Sequence, residues 1–215
     1  MALSPAEPTQ RASDMIPRVG GVLGFGALLA HRVSLRAHYP SQVVWALELA
    51  HAGVMVFAYV VREPVRGRAV GWTQRYLPFL IPGLTFLLVY QPLASLRLLP
   101  IAKIFLGIGV GIECVAIWYL RRSFSIMVEA RSLITRGPYR FARHPIYVGG
   151  TCAALGALLL RLTPLAGILF LAFVAGEIYR ARLEERKLEA YVPEYAAYKA
   201  RVPMFGLRLF RRRGP

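Results

Sequence analysis

Between Tyr147 and Tyr179 the chain reads YVGGTCAALGALLLRLTPLAGILFLAFVAGEIY. Two apolar runs, Tyr147 to Leu160 and Pro164 to Tyr179, are separated only by Arg161, Leu162 and Thr163. So short a connection between helical stretches makes an antiparallel hairpin. At about 1.5 Å per residue the first run crosses about 20 Å, and the second, followed through its charged continuation to Glu184, returns about 30 Å. The two open ends of the hairpin therefore lie on the same side, and Glu184 is expected within a turn or two of the level of His144.

Outward from this hairpin the same texture repeats. Pro100 to Leu120 and Gln42 to Val61 are apolar runs of 21 and 20 residues. Tyr76 to Tyr90 is shorter and carries Pro78 and Pro82, and Val19 to Ala30 is short and Gly-rich. A membrane-spanning helix needs about 20 apolar residues. The 215 residues are 56% hydrophobic and only 18% charged, yet Lys and Arg number 27 against 11 Asp and Glu. That apolar content excludes a disordered basic tail, and two cysteines exclude a disulfide scaffold. The basic residues stand between apolar runs, which argues against nucleic acid as a partner. With six spans and both ends inside, the inner segments hold 22 Lys and Arg and the outer loops 4. This is the bias of the positive-inside rule. Residues 1–15 are mostly polar and do not read as a signal peptide. The expected fold is all-α: a polytopic integral membrane helix bundle of five or six transmembrane helices, with a C-terminal helical hairpin and a cytoplasmic C-terminal helix. If the Val19 run lies in the interface, five spans remain.

Two polar patches meet at the open end of the hairpin. The first, Leu133 to Gly149, reads LITRGPYRFARHPIYVG. Gly137-Pro138 signals a turn, and Pro145 suits the first position of a helix. Free N–H groups and the positive dipole end at that helix start, beside Arg140, Arg143 and His144, suit an anion such as a carboxylate. A juxtamembrane loop on lipid phosphates is the alternative. The second patch, Glu177 to Arg201, contains Glu184-Glu185 among basic residues. Glu177 and Glu184, seven apart, share a helix face, and a carboxylate pair here suits a cation; alternatively Glu184 with Lys187, and Arg182 with Glu185, pair along one helix. Together an anion site and a cation site fit a zwitterionic amino acid bearing a further cation, such as S-adenosylmethionine.

The residues then reach a resemblance. RGPYRFARHPIYVGG, LEERKL with Glu184 34 residues beyond Gly150, and EYAAYKARVP together resemble the isoprenylcysteine carboxyl methyltransferase family, and the phospholipid N-methyltransferases share much of the pattern. The similarity covers roughly residues 100–207. It implies two regions: 1–99, an N-terminal transmembrane part of unassigned role, and 100–215, a methyltransferase-like catalytic part. It implies S-adenosylmethionine as cofactor, bound from the cytoplasmic side by Tyr139, His144, Pro145, Tyr147 and Gly149 in the first patch and Glu184 and Glu185 in the second. Arg143 and the tail residues Tyr195, Tyr198, Arg201 and Pro203 match as well. The implied acceptor is a lipophilic small molecule or lipidated chain, in the first place a carboxylate of the isoprenylcysteine kind, with membrane lipids as surroundings.

In-line methyl transfer asks the protein chiefly to position its reactants. A carboxylate acceptor needs an orienting cation, for which Arg143 or Arg201 would suit. An amine acceptor must lose a proton, for which Glu184 or Glu185 would serve. Other readings are a phospholipid amine N-methyltransferase, an NADPH-dependent membrane reductase of the steroid reductase type, and a non-enzymatic transporter or assembly factor. Glu184-Glu185 opposes the reductase, since carboxylates repel a dinucleotide. Cys114 and Cys152 read as small buried hydrophobes without metal-ligand spacing, so no metal is expected. Glu48, His51 and Glu113 fall inside spans, where ionisable residues point to function. Glu48 and His51, three apart, either pair or line an acceptor tunnel. Gly107 and Gly111 are expected at a close helix contact. Arg211 to Arg213 read as an anionic-lipid contact or a topology signal.

Overall fold

The computed structural model describes residues 19–20, 22–24, 26–27, 29–39, 41–61, 71–75, 77–89, 91, 94, 96–120 and 133–206. Among these residues all regular structure is helical, in agreement with the expected class. Seven α-helices follow in chain order: α1 (Gln42–Val61), α2 (Gly71–Arg75), α3 (Leu77–Val89), α4 (Leu99–Leu120), α5 (Pro145–Leu159), α6 (Pro164–Tyr191) and α7 (Tyr195–Arg201). The described residues between 19 and 34 are helical as well. The side chains of Glu48 and His51, and the run Arg211–Arg213, lie outside the described residues.

The apolar runs become helices almost residue for residue, with one difference. α6 does not stop at Tyr179 but continues for a further twelve residues to Tyr191. The continuation is rich in Glu, Arg, Lys, Leu and Ala, all good helix formers, and it ends at Val192, which precedes the helix-breaking Pro193. At the other end the Thr163 side chain accepts a hydrogen bond from the Ala166 amide, with Pro164 in the first turn. α6 is thus an apolar stretch from Pro164 to Tyr179 that carries a polar extension beyond it.

The segment Leu96–Leu120, which includes α4, and α6 are long and apolar enough to cross a membrane. Only 28% of each apolar window is buried. A core helix of a soluble protein would be mostly covered, so these helices turn most of their apolar surface outward. On α4 the outward residues Ile101, Ile104, Ile108, Val115 and Trp118 follow helical spacing. On α6 Leu165, Ile168 and Leu171 are exposed in the same way.

The hairpin helices α5 and α6 choose different principal neighbours: α5 packs chiefly on α4, and α6 chiefly on α3. Small residues bring α4 and α5 together. A methyl group added to Gly109 would lie 2.6 Å from the Gly149 carbonyl oxygen and 2.8 Å from the Ala153 Cα. One added to Gly156 would lie 2.8 Å from the Ala102 carbonyl oxygen. The glycines expected at this contact do not make it. Gly111 has open space where a side chain would stand, and Gly107 has only an ordinary approach to Leu47 at 3.7 Å. The contact belongs to the middle glycine of the run, because residues two apart on a helix point to nearly opposite sides. α6 meets α3 where Gly176 faces Ile81, and Ile81, Leu88, Ala154, Ala157, Ala166 and Phe173 form the core between α3, α5 and α6.

Gly109→Ala is expected to force α4 and α5 apart at a cost of about 1–3 kcal/mol, the usual range for overpacking a tight contact. Gly111→Ala, made where there is room, is expected to leave stability unchanged or raise it. Thermal unfolding of the two variants in the same detergent reads the contrast; equal melting temperatures would refute the assigned contact.

Candidate functional site

The loop before α5 is shaped by a glycine in a conformation other residues avoid. Gly137 has φ +59° and opens a 3-10 turn, Gly137–Arg140. It sits against the Tyr119 ring, whose Cζ would be 2.6 Å from an added Cβ. The turn directs Tyr139 inward, where it is buried, while Phe141 stays exposed. Two residues further, the backbone amides of Arg143 and His144 donate to the carbonyls of Pro203 and Met204, at 3.0 and 3.1 Å. The segment after α7 is thereby tied alongside the loop. Phe205 lies against His144 with ring centroids 6.1 Å apart, and the Tyr198 hydroxyl donates to the Tyr139 carbonyl at 2.6 Å.

Glu185 joins three segments. Arg143 Nε donates to its Oε1 at 2.8 Å, and His144 Nε2 lies 3.2 Å from the same oxygen. Lys199 Nζ is 3.3 Å from Oε2. Arg143 Nη1 also donates to the carbonyls of Lys199 and Val202 at the end of α7, both at 2.9 Å. A cation there satisfies carbonyls that a helix terminus leaves open. Burial alone would push the Glu185 carboxyl up, but the His144 hydrogen bond, the Arg143 charge and Lys199 outweigh it and hold the pKa at about 2. Glu185 stands on the polar extension of α6, beyond its apolar stretch.

Glu184, the next residue, faces elsewhere. The Tyr147 hydroxyl donates to its Oε1, and its Oε2 is 3.8 Å from His144 Nδ1. This meets the expectation that Glu184 reaches the level of His144. The Glu184 side chain is 22% exposed against 7% for Glu185, so it is the more open carboxylate of the two. The rings of His144 and Tyr147 are stacked, with centroids 5.4 Å apart and planes within 2°. Tyr139 closes the group. Its hydroxyl is buried and, among the described residues, has no hydrogen-bond partner. Burial, then the charge of Glu184, then Tyr198 push its pKa well up, so it stays protonated as a donor.

The structure therefore brings Tyr139, Arg143, His144, Pro145, Tyr147, Glu184 and Glu185 together at the open end of the hairpin. Gly149 lies one turn deeper, against Gly109 and Glu113 of α4. Arg201 stands apart: it is exposed and its Nε donates to the Ala197 carbonyl of its own helix at 3.2 Å. Glu185 turns to the loop rather than along its helix, and Lys187 reaches across to Gln74 at 2.6 Å. The sequence reading did not pick out Arg180. Its guanidinium lies 4.9 Å over the Tyr147 ring and donates to Glu177 Oε1 at 2.9 Å. The signal was its place one turn before Glu184 on the same face.

Chemically the site is two-signed. α5 begins at His144 without a side-chain cap and with Pro145 in its first turn. Its first amide N–H groups have no partner inside the helix and carry the positive dipole end. The open carboxylate of Glu184, the unpartnered Tyr139 hydroxyl and the faces of His144 and Tyr147 lie beside it. The donor set suits a ligand with an anionic end, a cationic end and a flat ring.

The depressed Glu185 pKa fixes a sign. Its ionised form is favoured on folding, so its contribution is present above the ordinary carboxyl pKa of 4.5 and is lost as pH falls towards about 2. Wild type should melt above Glu185→Gln at pH 6, and the difference should shrink steadily as pH falls below 4.5. A difference independent of pH between 6 and 3 would contradict the assigned ion pairs.

Residues 101–191 match the family described as phospholipid methyltransferase. The chain is 34% identical over 103 residues to the protein-S-isoprenylcysteine O-methyltransferase of Saccharomyces cerevisiae, covering 44% of this chain and 43% of that one. It is 32% identical over 78 residues to the Mus musculus enzyme of the same name, covering 35% and 27%. It is 37% identical over 84 residues to the cobalt-zinc-cadmium resistance protein CzcN of Cupriavidus metallidurans, covering 39% of each. In each case the chain spans less than half the length of the relative. The site residues from Tyr139 to Glu185 all fall inside the matched stretch. Through that stretch, less than half of the chain, the protein is similar to the phospholipid methyltransferase family and distantly to the isoprenylcysteine O-methyltransferases and to CzcN.

Proposed function

We propose that this protein transfers a methyl group from S-adenosylmethionine to a lipophilic acceptor at the cytoplasmic face of a membrane. The observation that carries the reading is the uncapped N-terminus of α5 beside the half-open carboxylate of Glu184. The family is one of S-adenosylmethionine-dependent membrane methyltransferases, which supports the same donor. The count of Lys and Arg supports the cytoplasmic side, and the outward apolar faces of α4 and α6 support a bundle of five or six spans.

The residues fit the donor molecule by charge and hydrogen-bonding type. The first turn of α5, from Pro145, would hold its carboxylate; Glu184 and the Tyr139 hydroxyl would hold its ammonium and hydroxyl groups; the His144 and Tyr147 rings would cover flat or cationic parts. Bound here, S-adenosylmethionine supplies a methyl group already activated by its sulfonium. The protein's own work is to orient and to keep water out. Arg143 and Glu185 keep the loop and α7 closed over the hairpin end, and Tyr147 fixes the Glu184 carboxylate. Arg143 has committed Nε and Nη1 to this closure, so we assign it a positioning role.

Two acceptor classes remain in the proposal. The isoprenylcysteine relatives favour a carboxylate, and the family description favours a phospholipid amine. The reductase and transporter readings are separated from both by ligand. Calorimetric titration of the detergent-purified protein should give saturable binding of S-adenosylhomocysteine and none of NADPH. His144→Ala and Glu184→Ala should each weaken that binding at least tenfold without changing the size of the purified particle. NADPH binding alone would replace the proposal with the reductase, and binding of neither by folded protein would leave the transporter or assembly factor.

A further inference from the structure

The loop 136–144 has two faces. Tyr139, Arg143 and His144 turn inward and build the site described above, while Arg136, Arg140 and Phe141 stay exposed. Phe141, at 64%, is among the most exposed large hydrophobic residues described. The Arg140 guanidinium lies 5.1 Å over its ring. Residues 130–176 contain no Asp or Glu, so any counter-charge for the loop must come from another element. The fold brings Glu185 to Arg143, and Glu184 and Glu185 to His144. Among the described residues Arg136 and Arg140 have no carboxylate partner. The outer face of the loop thus carries two unmatched cations beside a bare aromatic ring.

The neighbouring helix ends set the level of this face. Gly137 lies against the ring of Tyr119 at the end of α4, and the loop leads directly into α5. Trp118 and Tyr119 are exposed at that end of α4. Tyr179 is exposed where the apolar stretch of α6 ends, beside Arg180 and so at the level of Tyr147. Exposed Trp and Tyr at the ends of apolar helices mark the boundary between hydrocarbon and head groups. The outer face of the loop therefore lies at head-group depth. An Arg fork grips phosphate, and each basic residue near an anionic membrane surface raises affinity about fivefold. An apolar ring set beside basic groups is the pattern of interfacial anchors. We propose that Arg136, Arg140 and Phe141 form a docking face for anionic lipid, with the arginines on the head-group phosphates and Phe141 in the upper acyl region. The occupant is the lipid of the bilayer rather than a free phosphate, because a soluble anion would leave Phe141 uncovered. This lipid is a docking partner and not a methyl acceptor, since the face points away from the site. The inference does not depend on the methyltransferase reading. It also takes Arg140 out of the anion site expected at the start of α5 and gives it to the other side of the loop.

Brominated lipid quenches tryptophan fluorescence on contact, so Phe141→Trp turns the face into its own reporter. Wild type and Phe141→Trp are placed in nanodiscs of dioleoylphosphatidylcholine in which a minority of the lipid is brominated, either as phosphatidylglycerol or as phosphatidylcholine. The emission that Phe141→Trp adds to that of wild type should be quenched at least fivefold more effectively by the phosphatidylglycerol. Arg136→Gln with Arg140→Gln, made in Phe141→Trp, should bring the two lipids level without lowering the melting temperature. About 1 M salt, where the Debye length is about 3 Å, should do the same with both arginines in place. Millimolar inorganic phosphate should leave the preference unchanged. Quenching by neither lipid would put the loop in water and overturn the docking face. Equal quenching by both would overturn its selection for charge. A preference that survives the loss of both arginines would remove them from it, and one abolished by inorganic phosphate would make the face a site for soluble anions instead. S-adenosylhomocysteine enters none of these readouts, so a failure of the methyltransferase reading would leave them standing.

Discussion

Burying the Glu185 carboxylate obliges the chain to bring cations to it, and most of the open end of the hairpin follows from that demand. A buried charge is tolerated only when paired and hydrogen-bonded. Here the partners come from three places in sequence: Arg143 and His144 from the loop before α5, and Lys199 from α7. Arg143 then reaches the last carbonyls of α7, and the backbone of the same loop takes up the segment that follows. The basic stretch from Arg136 to His144 would otherwise have little reason to fold against a helix end rather than remain in water. One carboxylate thus converts a basic loop into the wall of a site.

The two adjacent glutamates divide the labour because successive residues on a helix are turned about 100° from one another. Glu185 faces the loop and α7 and is spent on structure. Glu184 faces Tyr147 and the start of α5 and keeps part of its surface open. Tyr147 links this level to the deeper one, since its hydroxyl meets Glu184 while Arg180 lies over its ring. The outward faces of α4 and α6 are apolar, whereas Tyr147 of α5 and Glu177 and Arg180 of α6 are buried between the helices. A lipophilic molecule entering between helices would therefore meet apolar surface first and charge only at its head.

Much of this was legible in the sequence, and the reason is length scale. Helix extents followed from apolar runs of 14 to 21 residues, and α1 and α4 begin and end within one residue of the expected limits. The meeting of His144 with Glu184 followed from a three-residue turn and the rise of a helix. What escaped depends on how two helices rotate against each other. Gly109 rather than Gly107 or Gly111 makes the α4–α5 contact, and a glycine run looks the same from every side in sequence. The same uncertainty hid Arg180, whose contact with Tyr147 needs the relative rotation of α5 and α6. Arg201 carried the right chemistry for an acceptor ligand, yet α7 turns it to solvent, because Tyr195 and Tyr198 take the buried face of that short helix.

We propose that two stretches some forty residues apart act as one cofactor site through the Tyr147–Glu184 contact. A double-mutant cycle on S-adenosylhomocysteine affinity tests it most directly, using Tyr147→Phe, Glu184→Gln and the double variant in the same detergent. The account predicts strong coupling: the double variant binds no more weakly than the weaker of the singles, because either change already breaks the shared contact. Losses that simply add would mean that the two residues act on the cofactor independently, or not at all, and would contradict a single site.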